Sequence, residues 1–251
     1  MISPLENPEV STVSSKAEAA YTPAFRGEAG ATSAAPAPGR RDGQRSRERI
    51  VAAAVRLFAE HGFANTSTRE IAKAAGVNIA LIAYHFGDKA GLYRAAFTEP
   101  MGSPKDDIAL FDDVSFTLQQ SLQGLYAGFI EPLKQNELVR QCVRLHMREM
   151  IEPTGLWEQE VDHGIKPYHA ALLRVLCRHL GLSEPDDDIH TLAMSIVAQG
   201  VYLYCGRDVM ERVTPQLMQS AEALDALGAR LVRNATAMVA AEGQRRKDTS
   251  S

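Results

Sequence analysis

The 251-residue chain is short of several things, and each shortage excludes something. Its three cysteines, Cys142, Cys177 and Cys205, are widely spaced and odd in number, so buried reduced thiols are expected instead of a disulfide framework. Aromatic residues make up 6% and tryptophan occurs once, while alanine is abundant, a balance that favours helices. No run approaches the roughly 18 apolar residues of a membrane span, and no charged-then-apolar leader opens the chain. A cytoplasmic protein with no membrane partner is expected. No Gly-rich loop has nucleotide-binding spacing. His146, His163, His169, His179 and His190 are not set at i, i+4 with a carboxylate. His163 and His169, six apart around Pro167, come nearest to a metal pair, yet no metal or cofactor is expected. Glu149-Glu152 and Asp186-Asp187-Asp188 read as surface and dipole charges, which leaves an enzyme as a remote alternative.

What is present is a 45% apolar composition, enough for a sizeable core in one or two domains. The net charge of −4 is unevenly spread. Residues 40–98 hold ten Lys and Arg against five Asp and Glu, residues 99–251 hold fifteen against twenty-two, and residues 1–39 hold two against four. A basic segment followed by an acidic remainder suits a molecule that presents one end to nucleic acid.

The basic segment contains the most organised stretch, Ser67 to Phe86. Ser67-Thr68-Arg69-Glu70 has capping-box spacing. Ile71, Ala74 and Ala75 form a short apolar stripe, Gly76 suits a left-handed turn, and Asn78 is a good cap for a second helix. A short helix, a Gly-containing turn and a second helix make a helix-turn-helix. With Asn78, Ile82 and Phe86 turned inward, Ile79, Ala80, Ala83 and Tyr84 point out. Either a DNA major groove or another part of the protein would explain that apolar face. Asn78 itself has two readings, as helix cap or as adenine reader.

The run Arg49–Phe58, then Gly62-Phe63, the Ser67–Phe86 stretch and Gly87–Tyr93 together resemble the TetR family of bacterial transcription regulators, over residues 44–104. The resemblance implies an all-α fold with an N-terminal three-helix DNA-binding domain and a larger helical ligand-binding and dimerisation domain. It implies that Ser67, Thr68 and Lys89 hold phosphates. Asn78, Ile79, Ala80, Leu81, Tyr84 and His85 would belong to the recognition helix, and Arg45, Arg49 and Arg69 join them as expected contacts to double-stranded DNA. The chain departs from the family at Ala83, where an aromatic phosphate contact usually stands, and Tyr84 is the substitute. Arg148-Glu149-Met150-Ile151-Glu152-Pro153, with Ile165-Lys166-Pro167, resembles the sensor domain of the CecR-like branch.

Around that unit, the Ala/Ser/Pro/Gly-rich residues 1–39 are expected to be disordered, with a basic arm to residue 43 that tracks DNA. A partner-binding tail or a start codon placed too early are the alternatives. A first helix from about Arg45 to His61 carries Ile50, Ala54, Leu57, Phe58 and His61 on one face and ends at Gly62. Lys89–Thr98 is a fourth helix, followed by a link at Pro100, Gly102 and Pro104. Residues 105–242 read as helices at 115–134, 137–151 (capped by Asn136), 156–180 (broken near Gly164 and Pro167), 184–205 (capped by Ser183) and 215–240, with a disordered tail at 243–251. Helices 184–205 and 215–240 are expected to pair two subunits into a homodimer. His146, Met147, Met150, Trp157, Tyr168, His169 and Tyr202 are candidates to line a pocket for a small, largely apolar effector. Repression on a palindromic operator follows from the resemblance alone. A DNA-binding regulator with no ligand is the nearer alternative.

Overall fold

A computed structural model describes residues 38–100, 104–135 and 137–249. The disordered expectation for residues 1–37, Gly102 in the link and the Asn136 cap therefore lie outside the described residues. The described elements are helical: α1 (Pro38–Asn65), α2 (Thr68–Ala75), α3 (Ala80–Phe86), α4 (Lys89–Thr98), α5 (Pro104–Ala109), α6 (Leu118–Lys134), α7 (Glu137–Ile151), α8 (Trp157–Glu160), α9 (Lys166–Leu180), α10 (Asp187–Cys205), α11 (Arg207–Val213) and α12 (Ala221–Thr249). They fall into two compact units. One holds residues 38–100 with 137–163, and the other holds 104–134 with 164–249.

In the first unit α1 packs on α2, α4 and α7. Its core is built from Ile50, Val55, Phe58, Ile71, Ile82, Leu92, Phe97 and Leu145. Because α7 covers a second side of α1, Val51 and Val55 are buried as well as Ile50 and Ala54, whereas His61 is exposed and leaves the expected stripe. In α2 the buried residues are Ile71, Ala72 and Ala75, and Ala74 faces out. The difference is one of helical phase: the α1-facing stripe passes over Ala72 instead. Gly62, at φ 79°, breaks the helical path as expected, and helical hydrogen bonding resumes to Asn65. Upstream, α1 reaches back to Pro38, so residues 38–43 are helical instead of tail.

In the second unit α12 packs along α6, and α10 packs on α6, α9, α11 and α12. Leu122, Leu125, Tyr126, Leu172, Val175, Leu176, Ile189, Ile196 and Ala235 are at its centre. Two glycines allow close approaches: a Cβ on Gly124 would stand 1.9 Å from the Leu110 carbonyl oxygen, and one on Gly200 would stand 2.6 Å from the Phe129 ring. Several expected boundaries move. The cap of α10 is Asp186, whose carboxylate accepts from the Ile189 N–H at 3.1 Å, and not Ser183. Within residues 156–180 the α-helical path breaks near Gly164 and Pro167 as expected, and the break takes the form of a π-helical turn at Val161–Ile165, with Pro167 in the first turn of α9. The expected helix at 215–240 resolves into a 3₁₀ turn at Pro215–Leu217 and α12, with α11 before them. Finally, α12 runs through residues 243–249, which the sequence reads as a disordered tail. Arg246 pairs with Asp186 and Arg245 with Asp188, tying that last stretch to the start of α10. Of the three cysteines, Cys142 and Cys177 are buried but Cys205, at the exposed end of α10, is not.

Candidate nucleic-acid interface

The turn between α2 and α3 is built by short-range bonds that the sequence announces. The Ser67 hydroxyl accepts from the Glu70 N–H at 3.2 Å, and the Glu70 carboxylate accepts from the Ser67 N–H at 2.8 Å. Those Ser67 bonds hold the Glu70 carboxyl below its usual range. Gly76 is left-handed at φ 63°, its N–H reaching the carbonyls of Ala72 and Lys73, and the Val77 N–H returns to Ala72 at 3.0 Å. Asn78 opens α3 through its side-chain oxygen, which accepts from the Ala80 N–H at 2.9 Å. Its side chain is exposed, not turned inward with Ile82. At the far end the Asp88 carboxylate accepts from the Gly91 N–H at 2.7 Å and starts α4.

On this frame α3 shows its outer face. Tyr84 is 80% exposed and Ile79 46%, and Ala80 and Ala83 are exposed beside them. Leu81 and His85, expected on the same face, are half-buried: Leu81 packs on the core and the His85 ring lies edge-on to Tyr84 at 4.9 Å. Arg45 and Arg69 are exposed, and Thr68 is half-buried at the start of α2. Lys89 lies with its ammonium 4.5 Å from the centre of the Phe63 ring and donates to the Ala64 carbonyl at 3.4 Å.

Arg49 is placed differently from the other cations. Its Nε donates to the Ala75 carbonyl at 2.9 Å, and its Nη2 donates to Ala75 and Gly76, both at 2.6 Å. Those carbonyls end α2, so the guanidinium caps the helix from outside and fixes the turn against α1. Arg47, one of the ten cations of residues 40–98, forms a two-pronged pair with Glu99 at 2.6 and 2.8 Å and lies 5.1 Å over the Phe86 ring. No local pattern announces either bond, because the partners are distant in sequence.

The seven candidate effector residues divide between the two units. His146 stacks on Phe97 at 3.9 Å, its Nδ1 is 2.9 Å from the Cys142 carbonyl oxygen, and burial lowers its pKa. Met147 and Trp157 are half-buried and Met150 is exposed in the same unit. Tyr168 packs on Phe111, His169 meets His190 with 3.0 Å between ring nitrogens, and Tyr202 is exposed, all in the other unit.

Comparison with known proteins agrees with this geometry. Residues 50–96 match "Bacterial regulatory proteins, tetR family", and residues 118–242 match the "HTH-type transcriptional dual regulator CecR, C-terminal domain". The chain is 30% identical over 165 residues to the transcriptional dual regulator CecR of Shigella flexneri, covering 61% of this chain and 73% of that one. It is 46% identical over 108 residues to the probable transcriptional regulator YttP of Bacillus subtilis, covering 42% of this chain and half of that one. Among solved structures, a tetR-family regulatory protein from Rhodococcus RHA1 superposes with TM-score 0.58 at 21% identity, over 77% of this chain and 96% of that one. The hemolysin II regulator HlyIIR superposes with TM-score 0.54 at 20% identity, over 76% and 97%. The fold, the helix-turn-helix and these relatives lead to one conclusion: the chain belongs to the TetR family of bacterial, DNA-binding transcription regulators and carries a CecR-type C-terminal domain.

Proposed function

We propose that this regulator binds a palindromic operator as a homodimer, represses transcription, and is released or repositioned by a small, largely apolar effector in the cytoplasm. The observation that carries the DNA part is the outer face of α3, where Ile79, Ala80, Ala83 and Tyr84 lie bare beside exposed cations. Ile79, Ala80 and Ala83 suit thymine methyl groups, and Tyr84 suits a phosphate. Arg45, Ser67, Thr68, Arg69 and Lys89 are the backbone contacts, Asn78, which caps α3 and is exposed, is the adenine reader of this reading, and Leu81 and His85 hold the helix from behind.

One such helix reads only a few base pairs, and two-fold pairing sets two of them about 34 Å apart. The pairing elements remain residues 184–205 and 215–240, now α10 and α12, and exposed Met194 and Tyr202 on α10, with Val209 and Val213 on α11 between them, supply apolar surface. The effector must bind one spacing of the heads better than another, or nothing moves. Because the seven sequence candidates lie in two units, a regulator that answers to no small molecule is the second reading.

The test is fluorescence anisotropy on duplexes selected from a random pool. Lys89→Ala should weaken binding to every sequence and reduce the salt slope by about one. Ile79→Ser should change sequence preference with the slope intact. A purified chain that ignores every duplex at low salt would remove the reading. A reporter assay then gives the sign: activation in place of repression would correct that part alone.

A further inference from the structure

The motif Arg148–Pro153 plays no part in the DNA-reading surface, yet it lines a cavity of about 280 Å³ with Phe63, Ala64, Tyr93, Arg148, Glu152, Pro153 and Thr154 at its walls. We infer that this cavity, inside the DNA-reading unit, is a binding site for a small aromatic carboxylate.

The apolar part is a corner of two rings, Phe63 and Tyr93, whose centres are 5.0 Å apart at 68°. Ala64 and Pro153 extend it. Flat walls of this kind favour a flat ring, and the volume suits one ring with a short substituent.

The polar part is decided by which charges are already engaged. Glu149 is fully buried behind the wall, and its carboxylate accepts from the Tyr93 hydroxyl at 2.6 Å, the Thr154 N–H at 2.7 Å and the Thr154 hydroxyl at 3.0 Å. Three protein donors already engage it. Arg148 is different. Its Nε is buried with no hydrogen-bond partner, lying against Gly62, where a Cβ would stand 2.8 Å away. Its Nη2 has Glu152 at 2.9 Å, one turn along the same helix end and facing mostly solvent. An exposed pair of that spacing is weak and exchanges easily. A ligand carboxylate matched to the planar guanidinium fork, with its ring packed in the corner, is the stronger partner. It takes Arg148 from Glu152 while the ring fills the Phe63–Tyr93 corner.

The site has a direct mechanical consequence. Phe63 is also the ring under the Lys89 ammonium, and Ala64 offers Lys89 its carbonyl. An occupant touches both residues that hold the proposed phosphate contact. Naming the site an effector site rests on the regulator reading; the binding itself does not.

Calorimetry on the full chain tests it with benzoate, phenylacetate and salicylate as probes and benzamide as the uncharged control. The carboxylates should bind at least tenfold more tightly than benzamide. Glu152→Gln, an exposed change that leaves the fold intact, removes the rival and should tighten carboxylate binding about threefold or more. Ala64→Trp, at the exposed rim, should abolish binding of all four, and Arg148→Gln should erase the preference for carboxylate over amide. No carboxylate binding, equal binding of acid and amide, weaker binding in Glu152→Gln, or full binding in Ala64→Trp would each overturn the proposal. None of these readouts uses DNA, so failure of the regulator reading would be seen separately, in the anisotropy experiment.

Discussion

Arg49 stands in a run of arginines, yet its guanidinium is taken up by the carbonyls of Ala75 and Gly76. Those bonds fix the turn before α3 against α1, and they make a positioning role, in place of a phosphate contact, the outcome to test. Arg49→Gln should lower affinity for the preferred operator about tenfold, the scale of a lost charge-assisted hydrogen bond. A salt titration should return the wild-type slope, in contrast to Lys89→Ala; a slope reduced by one would make Arg49 a phosphate contact after all. Asp107 on α5 carries the clearest pH consequence. Burial first, and Asp106 second, raise its pKa from 3.8 to about 6. Between those values the folded chain binds more protons than the unfolded one, so this group lowers stability as pH rises through the window, with the full penalty above about pH 6. Asp107→Asn should stabilise the protein by on the order of 1 kcal/mol at pH 7.5, allowing for the carboxyl's remaining solvent contact, and by almost nothing near pH 3.5. Thermal melts of both proteins at the two pH values check the sign.

At the scale of elements, α7 owes its place to a polar bond inside an apolar seam. The Tyr93 hydroxyl donates to Glu149, and burial, reinforced by that carboxylate, pushes the Tyr93 pKa upward. Around it Phe58, Phe63 and Tyr93 pack edge to face and stacked, and Phe97 covers His146. Tyr93→Phe would leave Glu149 buried with Thr154 as its remaining donor. The expected cost is about 1–3 kcal/mol in urea denaturation. Adding Glu149→Leu should return part of it, because an apolar pair leaves no orphaned charge. A double variant less stable than the sum of the single changes would contradict this account. The elements proposed to meet DNA are held otherwise, by caps: Ser67 for α2, Asn78 for α3, Asp88 for α4. Caps orient a short helix without enclosing it, which is why α3 buries Ile82 and keeps its other face free.

For the whole molecule, charge and exposed apolar surface are separated along the chain. Residues 40–98 are basic and residues 99–251 acidic, so a duplex is drawn to one segment and repelled by the other. In the proposed homodimer the exposed apolar residues of α10 and α11 are the surface offered to the second copy. Met194→Glu, at a residue 56% exposed in the free chain, should turn the dimer into a monomer in sedimentation velocity without lowering the melting temperature of the chain by more than a few degrees. Operator affinity should then fall at least a hundredfold, since the second head loses its effective concentration. An unchanged dimer would place the pairing surface elsewhere.

The residues 67–91 were legible in the sequence because everything that shapes them is local. Ser67 with Glu70, Gly76 with Ala72 and Asn78 with Ala80 are bonds across two to four positions, and such spacings can be counted on a linear chain; the Asp88–Gly91 cap is as local but was not read. The start and end of α4 and α7 were legible for the same reason. Other decisions belonged to the tertiary structure alone. Arg49 meets Ala75 across 26 positions, Arg47 meets Glu99 across 52, Tyr93 meets Glu149 across 56, and Arg246 meets Asp186 across 60. These contacts tied Arg49 to the end of α2, joined α7 to the DNA-reading unit and carried α12 past residue 243. A side chain's type gives the bonds it is able to make, but its partner is chosen by which backbone the fold brings within about 3 Å of it.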